Sequence, residues 1–275
     1  MFNLTLVTGG TGKTGRRIAA KLTALDIPVR IGSRSAMPAF DWYNSTTWAT
    51  ALKNVSSVYI SFQPDLAIPA AASIIKGFVD ACKQENVQKL VLLSGRGEHE
   101  AEVCEQLVIN SGIDYTVLRA SWFNQNFNEN YLLENVLAGA VEMPAGNIPE
   151  PFIDADDIAE AAVAALTNLK HSNKLYEITG PELLTFRQAF EIIASETGKP
   201  ISFRDLSIDE YRELLKQYQT PDDFIEMIIY LYAEVMDGRN SSVTHDLEKL
   251  ISGKPKTFRD FVKENLGSLS AMVVS

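Results

Sequence analysis

The 275 residues are 46% hydrophobic and 22% charged, enough to bury a large core as one large or two modest domains. The formal net charge of −10 argues against a nucleic-acid-binding surface, which needs clustered Lys and Arg to neutralise phosphates. No apolar run approaches the roughly 18 to 20 residues of a membrane span, and no basic, then apolar leader precedes Leu4, so a cytoplasmic protein with neither nucleic acid nor membrane as partner is expected.

The first element is a β-branched, apolar run from Leu4 to Val7, followed by glycines at 9, 12 and 15 and an amphipathic helical pattern through Ile18, Ala19, Leu22 and Leu25. In such a turn one glycine permits positive φ, another lets the backbone approach a pyrophosphate, and the last lets helix pack closely on strand. The helix N-terminus then offers unpaired N–H groups and the positive end of its dipole. Gly9, Thr11, Gly12, Lys13, Thr14 and Gly15 are therefore candidate cofactor-binding residues. The plainer reading is an ordinary strand-to-helix loop; the second strand that follows, Pro28 to Gly32, favours the dinucleotide reading.

That second strand ends in Arg30-Ile31-Gly32-Ser33-Arg34-Ser35, with no carboxylate to hold the ribose hydroxyls of NAD. Arg34 is suited to a bidentate contact with a 2′-phosphate, Ser33 to donating a hydroxyl, and Lys13 adds a second positive charge. NADP(H) is accordingly expected over NAD(H), against the alternative that Arg34 and Lys13 are solvated loop charges.

Strand and helix then alternate: strand Val55 to Phe62, helix Ile68 to Lys83, strand Val87 to Ser94, helix Glu98 to Asn110, strand Ile113 to Arg119. Short connections and strands apolar on both parities predict an α/β, Rossmann-like, doubly wound parallel sheet with helices on both faces. Ligands of such sheets bind beyond the carboxyl ends of the strands. This places Phe62 and Gln63 beside the cofactor, makes Ser94 a candidate for bonding the nicotinamide amide or the substrate, or else a turn cap, and brings Trp122, Phe123, Phe127 and Tyr131 forward as pocket aromatics or core. Cys82 and Cys104 read as buried thiols of a reducing compartment, without a disulfide framework or metal motif. His99, at an acidic helix start, reads as a proton relay or a solvated side chain.

The second half supplies the cover. Ala138 to Pro151, rich in Gly and Pro, reads as a loop that forms part of a lid. Asp154 or Asp156 caps a helix Ile158 to Leu166, and Leu175 to Thr179 returns as a strand. Thr185 caps Phe186 to Thr197; Ile208 to Gln219, Pro221 to Met236 and Phe258 to Leu266 are further helices, with Tyr230, Tyr232 and Met236 weighed between pocket and core. The expected division is a cofactor domain over 1–150, its strand and helix returning at 151–180, and a smaller, mainly helical C-terminal substrate lobe over 181–275. The apolar tail Ala271-Met272-Val273-Val274 reads as packing on a neighbour or fraying, and a homo-oligomer is compatible with it.

Thr8 to Gly15, Ser33-Arg34-Ser35, Leu92-Leu93-Ser94, Ser111 to Arg119, Trp122 to Phe127, Phe152 to Ala159, Thr179 to Thr185 and Thr257 to Phe261 together resemble the NmrA-like branch of the atypical short-chain dehydrogenases, over nearly the whole chain. Within it, Phe40-Asp41-Trp42 and Gly180 to Thr185 are similar to the festuclavine and agroclavine dehydrogenases. The resemblance implies NADPH-dependent reduction of a cyclic imine or iminium; other branch members are quinone reductases and NADP-binding redox sensors.

The usual short-chain reductase uses a Tyr whose phenol is acidified by a Lys four residues on. None of the nine tyrosines has that partner, and Tyr115 with Arg119 is the nearest approach, better read as strand packing. Ketone reduction leaves an alkoxide to protonate, whereas hydride addition to an iminium neutralises the acceptor. A small cyclic iminium, or a quinone drawing protons from water, therefore suits the chain, with Ser94, Trp122 and Phe123 in orienting roles. An aromatic face within about 6 Å of a cation adds ~0.5 to 2 kcal/mol. The competing reading is a non-catalytic NADP(H) sensor acting through a protein partner.

Overall fold

The computed structural model describes residues 4–129 and 132–270, so Tyr131 and the tail 271–274 lie outside the described residues. In chain order the first elements are β1 (Leu4–Thr8), α1 (Lys13–Ala24), β2 (Val29–Gly32), α2 (Trp48–Leu52), β3 (Val55–Ile60), α3 (Ala71–Gln84), β4 (Lys89–Gly95), α4 (His99–Ile109) and β5 (Asp114–Ala120). They are followed by α5 (Leu132–Ala138), β6 (Ala140–Met143), α6 (Ala155–Thr167), β7 (Lys174–Ile178), α7 (Phe186–Thr197), β8 (Ser202–Asp205), α8 (Ile208–Gln217), α9 (Asp222–Tyr230), α10 (Phe258–Glu264) and α11 (Leu266–Leu269).

The chain forms two compact units. The first takes the chain through Ala120, then Ala155–Ile178 and His245–Lys254; the second takes Ser121–Asp154, Thr179–Thr244 and the chain from Pro255. Against the expected division at 150 and 180, residues 121–154 join the second unit and 245–254 return to the first.

The first unit is the expected α/β body. Six strands, all parallel, run in the order β2-β1-β3-β4-β5-β7. Because side chains alternate across a strand, one parity (Leu6, Val58, Leu90, Val117) joins Ile75, Phe78, Cys82, Cys104 and Val108 in one core. The other parity (Val7, Tyr59, Val91, Leu118) is equally buried, as a sheet covered on both faces requires. Helix α3 packs on α4 and α1 on α6. Each such side chain stabilises the fold by about 1.5 to 3 kcal/mol through the apolar surface withdrawn from water. Phe40 and Trp42 belong to this core, edge-on at 4.9 Å, and the Trp42 indole donates to the Ser61 carbonyl, anchoring the loop after β3.

The second unit is mainly helical and is built on an aromatic core. Phe127 is fully buried against Phe152, Phe186, Phe190 and Phe258 at 5.0 to 5.8 Å. The stretch 138–151 is not wholly loop: β6 pairs in parallel with β8 from Ala140↔Ser202 to Met143↔Asp205. Four residues are too few to display a period, and Ser202, Arg204 and Asp205 are exposed and polar, so neither strand announces itself. The helix expected over 221–236 ends as α9 at Tyr230, and a π-turn, Leu231–Val235, carries Tyr232 into the core. The helix expected to run to Gln219 ends at Gln217, with Gln219 at φ 56°, and that expected to reach Leu266 breaks at Asn265 into α10 and α11. No described helix is long and apolar enough to cross a membrane.

Candidate functional site

The site is built where the strand order reverses, beyond the carboxyl ends of β1 and β3. The Thr8 hydroxyl donates to the Tyr59 carbonyl and accepts from the Ser61 N–H, both at 2.9 Å, tying the turn after β1 to the turn after β3. Gly9 then sits at φ 61°, and the Gly12 N–H closes onto its carbonyl at 2.8 Å. Helix α1 starts at once. Its first turn carries no acidic residue and no side-chain cap, so its leading N–H groups and dipole are left for an anion.

The close approach expected of the third glycine is present: a Cβ on Gly15 would lie 2.2 Å from the Gly9 carbonyl oxygen. Over Gly12 the nearest neighbours are the Gly9 oxygen and, 3.7 Å from the Cβ position, the amide nitrogen of Gln63. Exposed Gln63 thus overhangs the turn, beside exposed Thr11 and half-buried Lys13. Such a cradle fits a dinucleotide pyrophosphate.

Three sequence-predicted residues are placed differently from expectation. The Thr14 hydroxyl is buried and accepts from Tyr59 at 3.0 Å, so only its main-chain N–H is left for a phosphate; burial raises the Tyr59 phenol pKa. Phe62 is buried against Trp42 at 5.2 Å and shapes the loop from below. Ser94, also buried, turns its hydroxyl inward and donates to Glu105 at 2.7 Å.

Beyond β2, the Ser33 carbonyl accepts from Ala36 and Phe40, folding the loop back, and its hydroxyl lies 3.3 Å from that of Ser35. Arg34 stands exposed, with no side-chain partner among the described residues.

Beyond β4 lie two acid arrangements that sequence reading missed. In the first, fully buried Glu105 is clamped by Arg119, whose Nε and terminal nitrogen donate to its two oxygens at 2.9 and 2.5 Å. Arg119 also reaches Glu177 at 3.2 Å, and these hydrogen bonds push the guanidinium pKa up. Tyr115 packs on the core while Arg119 is held by these acids, so the two form no dyad.

In the second, Glu98 precedes α4 with its carboxyl buried and making no cap bond; it lies against the carboxyl of Asp65, from the loop after β3. Burial first, and then each other's charge for Glu98, pushes both carboxyls upward. The signal that could have found the pair is Gly95: a Cβ there would stand 1.9 Å from Glu98 Oε1. His99, next along, is exposed.

In the second unit, the chain after β5 is fastened by main-chain bonds: Ser121 donates to the Pro151 carbonyl at 2.6 Å, Ile153 N–H to Trp122 and Asn124 N–H to Ile153, each at 2.8 Å. Trp122 and Phe123 stay partly exposed, and Trp122 rests on Phe186 at 5.5 Å and Tyr232 at 5.4 Å. Phe127, Tyr232 and Met236 resolve as core. Asp154, buried, accepts from Gln125 at 3.0 Å, and Asp156 pairs with Arg17 at 3.0 Å in the first unit.

Comparison with known proteins adds the following. The profile described as the NmrA-like family matches residues 2–262. Prestalk A differentiation protein A of Dictyostelium discoideum is 27% identical, covering 98% of this chain and 95% of that protein. Agroclavine dehydrogenase of Claviceps fusiformis is 32% identical over 94% and 96%. Among solved structures, the NADPH-dependent quinone oxidoreductase of Escherichia coli complexed with NADPH superposes with a TM-score of 0.80 at 22% identity, covering 94% of this chain and 99% of that one.

Proposed function

Because the chain belongs to the NmrA-like family, we propose that it is an NADPH-dependent oxidoreductase acting on a small cyclic imine, iminium or quinone-like acceptor. The observation that carries this reading is the glycine turn, positive φ at Gly9 and the 2.2 Å approach at Gly15, opening onto a helix whose first turn has no acid. Main-chain N–H groups of Thr14 and Gly15 at the start of α1 would hold the pyrophosphate, with Thr11 and Gln63 closing over it. Ser33, Arg34 and Lys13 would read the 2′-phosphate, which is the basis for NADP(H) over NAD(H).

When bound, the cofactor supplies the hydride. The protein binds and orients, and here Ser94 has a restricted part: with its proton given to Glu105, its oxygen is left as an acceptor, suited to the amide N–H of a nicotinamide. Trp122 and Phe123 offer aromatic faces to a flat or cationic acceptor. Similar proteins support the chemistry: one relative is an agroclavine dehydrogenase, and a protein of the same fold is an NADPH-dependent quinone oxidoreductase. A reducing, cytoplasmic setting is supported by two free, buried thiols.

A second reading, an NADP(H)-binding regulatory protein, is favoured by two observations: no tyrosine has Lys four residues on, and a relative matching nearly the whole chain is named for differentiation rather than a reaction. Purified protein decides between them. NADPH should bind in preference to NADH and be oxidised with a panel of quinones and cyclic iminium ions; binding without oxidation across the panel leaves the regulatory reading.

A further inference from the structure

We propose that Glu98 and Asp65 form a shared-proton carboxyl pair that donates a proton to a neutral, quinone-type acceptor, taking the part that a Tyr-Lys dyad has elsewhere. The inference rests on the reductase reading above and deepens it by naming the acceptor class.

Position comes first. Asp65 lies two residues beyond Gln63, whose amide overhangs Gly12, and Glu98 lies at the start of α4, its carboxyl against Gly95 at the end of β4. Both therefore stand at the carboxyl edge of the sheet, within the same unit as the glycine turn.

Hydrogen bonding comes second. Two carboxyl groups lying against each other can bond only with a proton on one of them, because two carboxylates have only acceptors to offer. Glu98 stands at the N-cap position of α4, and its carboxyl makes no cap bond there. The charged groups acting on it, Asp65 from the loop before α3 and Glu100 and Glu105 of α4, are all acids, and Arg119 is occupied by Glu105. Carboxyl groups so placed keep a proton at pH values where an exposed one has lost it.

Direction comes third. Asp65 is half-buried and accepts from the Ala67 N–H at 2.9 Å, whereas Glu98 is buried and its second oxygen, Oε2, has no hydrogen-bond partner among the described residues. One end of the pair meets solvent; the other holds an unsatisfied atom inside. A buried polar atom left in this way is costly, and an acceptor oxygen would relieve it.

The step balances. A quinone takes a hydride from NADPH and one proton from Glu98; the Glu98 O–H bond breaks, an O–H bond forms on the quinone, and the product is the hydroquinone. The carboxylate left behind regains its proton from water through Asp65. A cationic acceptor needs the hydride alone.

Two measurements test this. Infrared spectra of the protein without cofactor at pH 7 should contain a protonated-carboxyl C=O band that is lost in Glu98→Gln. Turnover with a para-quinone relative to a cyclic iminium should then fall at least tenfold in Glu98→Gln, since general acids contribute about 10²- to 10⁴-fold, and Asp65→Asn should lower the same ratio. The infrared band does not depend on turnover, so a wild-type protein that oxidises no NADPH overturns the reductase reading while the band still decides the shared proton. Absence of the band at pH 7, or a quinone-to-iminium ratio within twofold of wild type in both variants, overturns the proposal and leaves the pair as a tether between two loops.

Discussion

Gly15→Ala is the sharpest perturbation of the candidate cofactor site, because the structure fixes what the added methyl would meet. Its Cβ would lie 2.2 Å from the Gly9 carbonyl oxygen, 2.7 Å from that carbonyl carbon and 2.8 Å from the Gly10 Cα, all backbone atoms that no rotamer change can move aside. Helix α1 or the turn must therefore shift by about an ångström, an overpacking that costs ~1 to 3 kcal/mol. Alanine returns up to about 1 kcal/mol of helix propensity at this position. With the clash at the upper end, the net destabilisation is about 2 kcal/mol, or roughly 4 to 8 °C in Tm for a protein of this size. Displacing the turn also takes main-chain N–H groups out of reach of a phosphate. Each charge-assisted bond lost is worth about 1.5 to 3 kcal/mol, so NADPH affinity should fall at least tenfold. Scanning calorimetry and titration with NADPH read the two effects, and Gly267→Ala, whose Cβ meets nothing within 4 Å, serves as the control. Wild-type Tm and wild-type NADPH affinity in Gly15→Ala would refute the assignment of this turn.

Further consequences can be measured alongside. Arg34→Asp removes the proposed bidentate contact, and NADPH should weaken roughly 10- to 150-fold while NADH changes little; equal loss of both in binding titrations would show that Arg34 does not read the 2′-phosphate. Glu105→Ala leaves Arg119 short of its buried partner and Ser94 without its acceptor, at a cost near 3 kcal/mol because Glu177 remains to the guanidinium; breaking the exposed pair Lys76 with Asp80 should cost far less, and urea denaturation compares them. The Asp65 and Glu98 carboxyls are raised in the folded state, so their contribution to stability is full below their ordinary values, 3.8 for Asp and 4.5 for Glu, and is lost as pH rises toward the folded values. Glu98→Gln should therefore gain stability relative to wild type as pH rises above the ordinary Glu value, by at most ~1.4 kcal/mol per pH unit, and a difference in Tm that does not change with pH would contradict the burial of a shared proton.

What could be read from the sequence follows the range over which the physics acts. The glycine turn was legible because its spacing is dictated by three backbone requirements within eight residues, and the parallel sheet because strands such as Leu90-Val91-Leu92 must be apolar on both parities. Trp122 and Phe127 are the same kind of residue five positions apart, yet one is partly exposed and the other has no exposure, a difference made by Phe152, Phe190 and Phe258 arriving from distant segments. The β6–β8 pair escaped for a local reason: strands of four residues, one of them polar and exposed, carry no period to detect.

The hardest features to read were the acids of α4, and they explain why a missing dyad is a poor guide to proton chemistry. Glu98 and Glu105 belong to one run that reads as a solvated, acidic helix start. The fold gives them opposite company. Glu105 receives a guanidinium and a hydroxyl, which satisfies a charged carboxylate; Glu98 receives a second carboxyl, which favours a protonated acid. Two like side chains whose surroundings part their proton affinities are the raw material of acid and base roles. Glycine at 95 is what permits the second arrangement, since any Cβ there would occupy the place of the Glu98 carboxyl. Gly95→Ala should accordingly expel Glu98 toward solvent, and the neutral-pH infrared acid band should vanish in this variant as it does in Glu98→Gln; a band that persists would mean that the shared proton does not depend on this close approach.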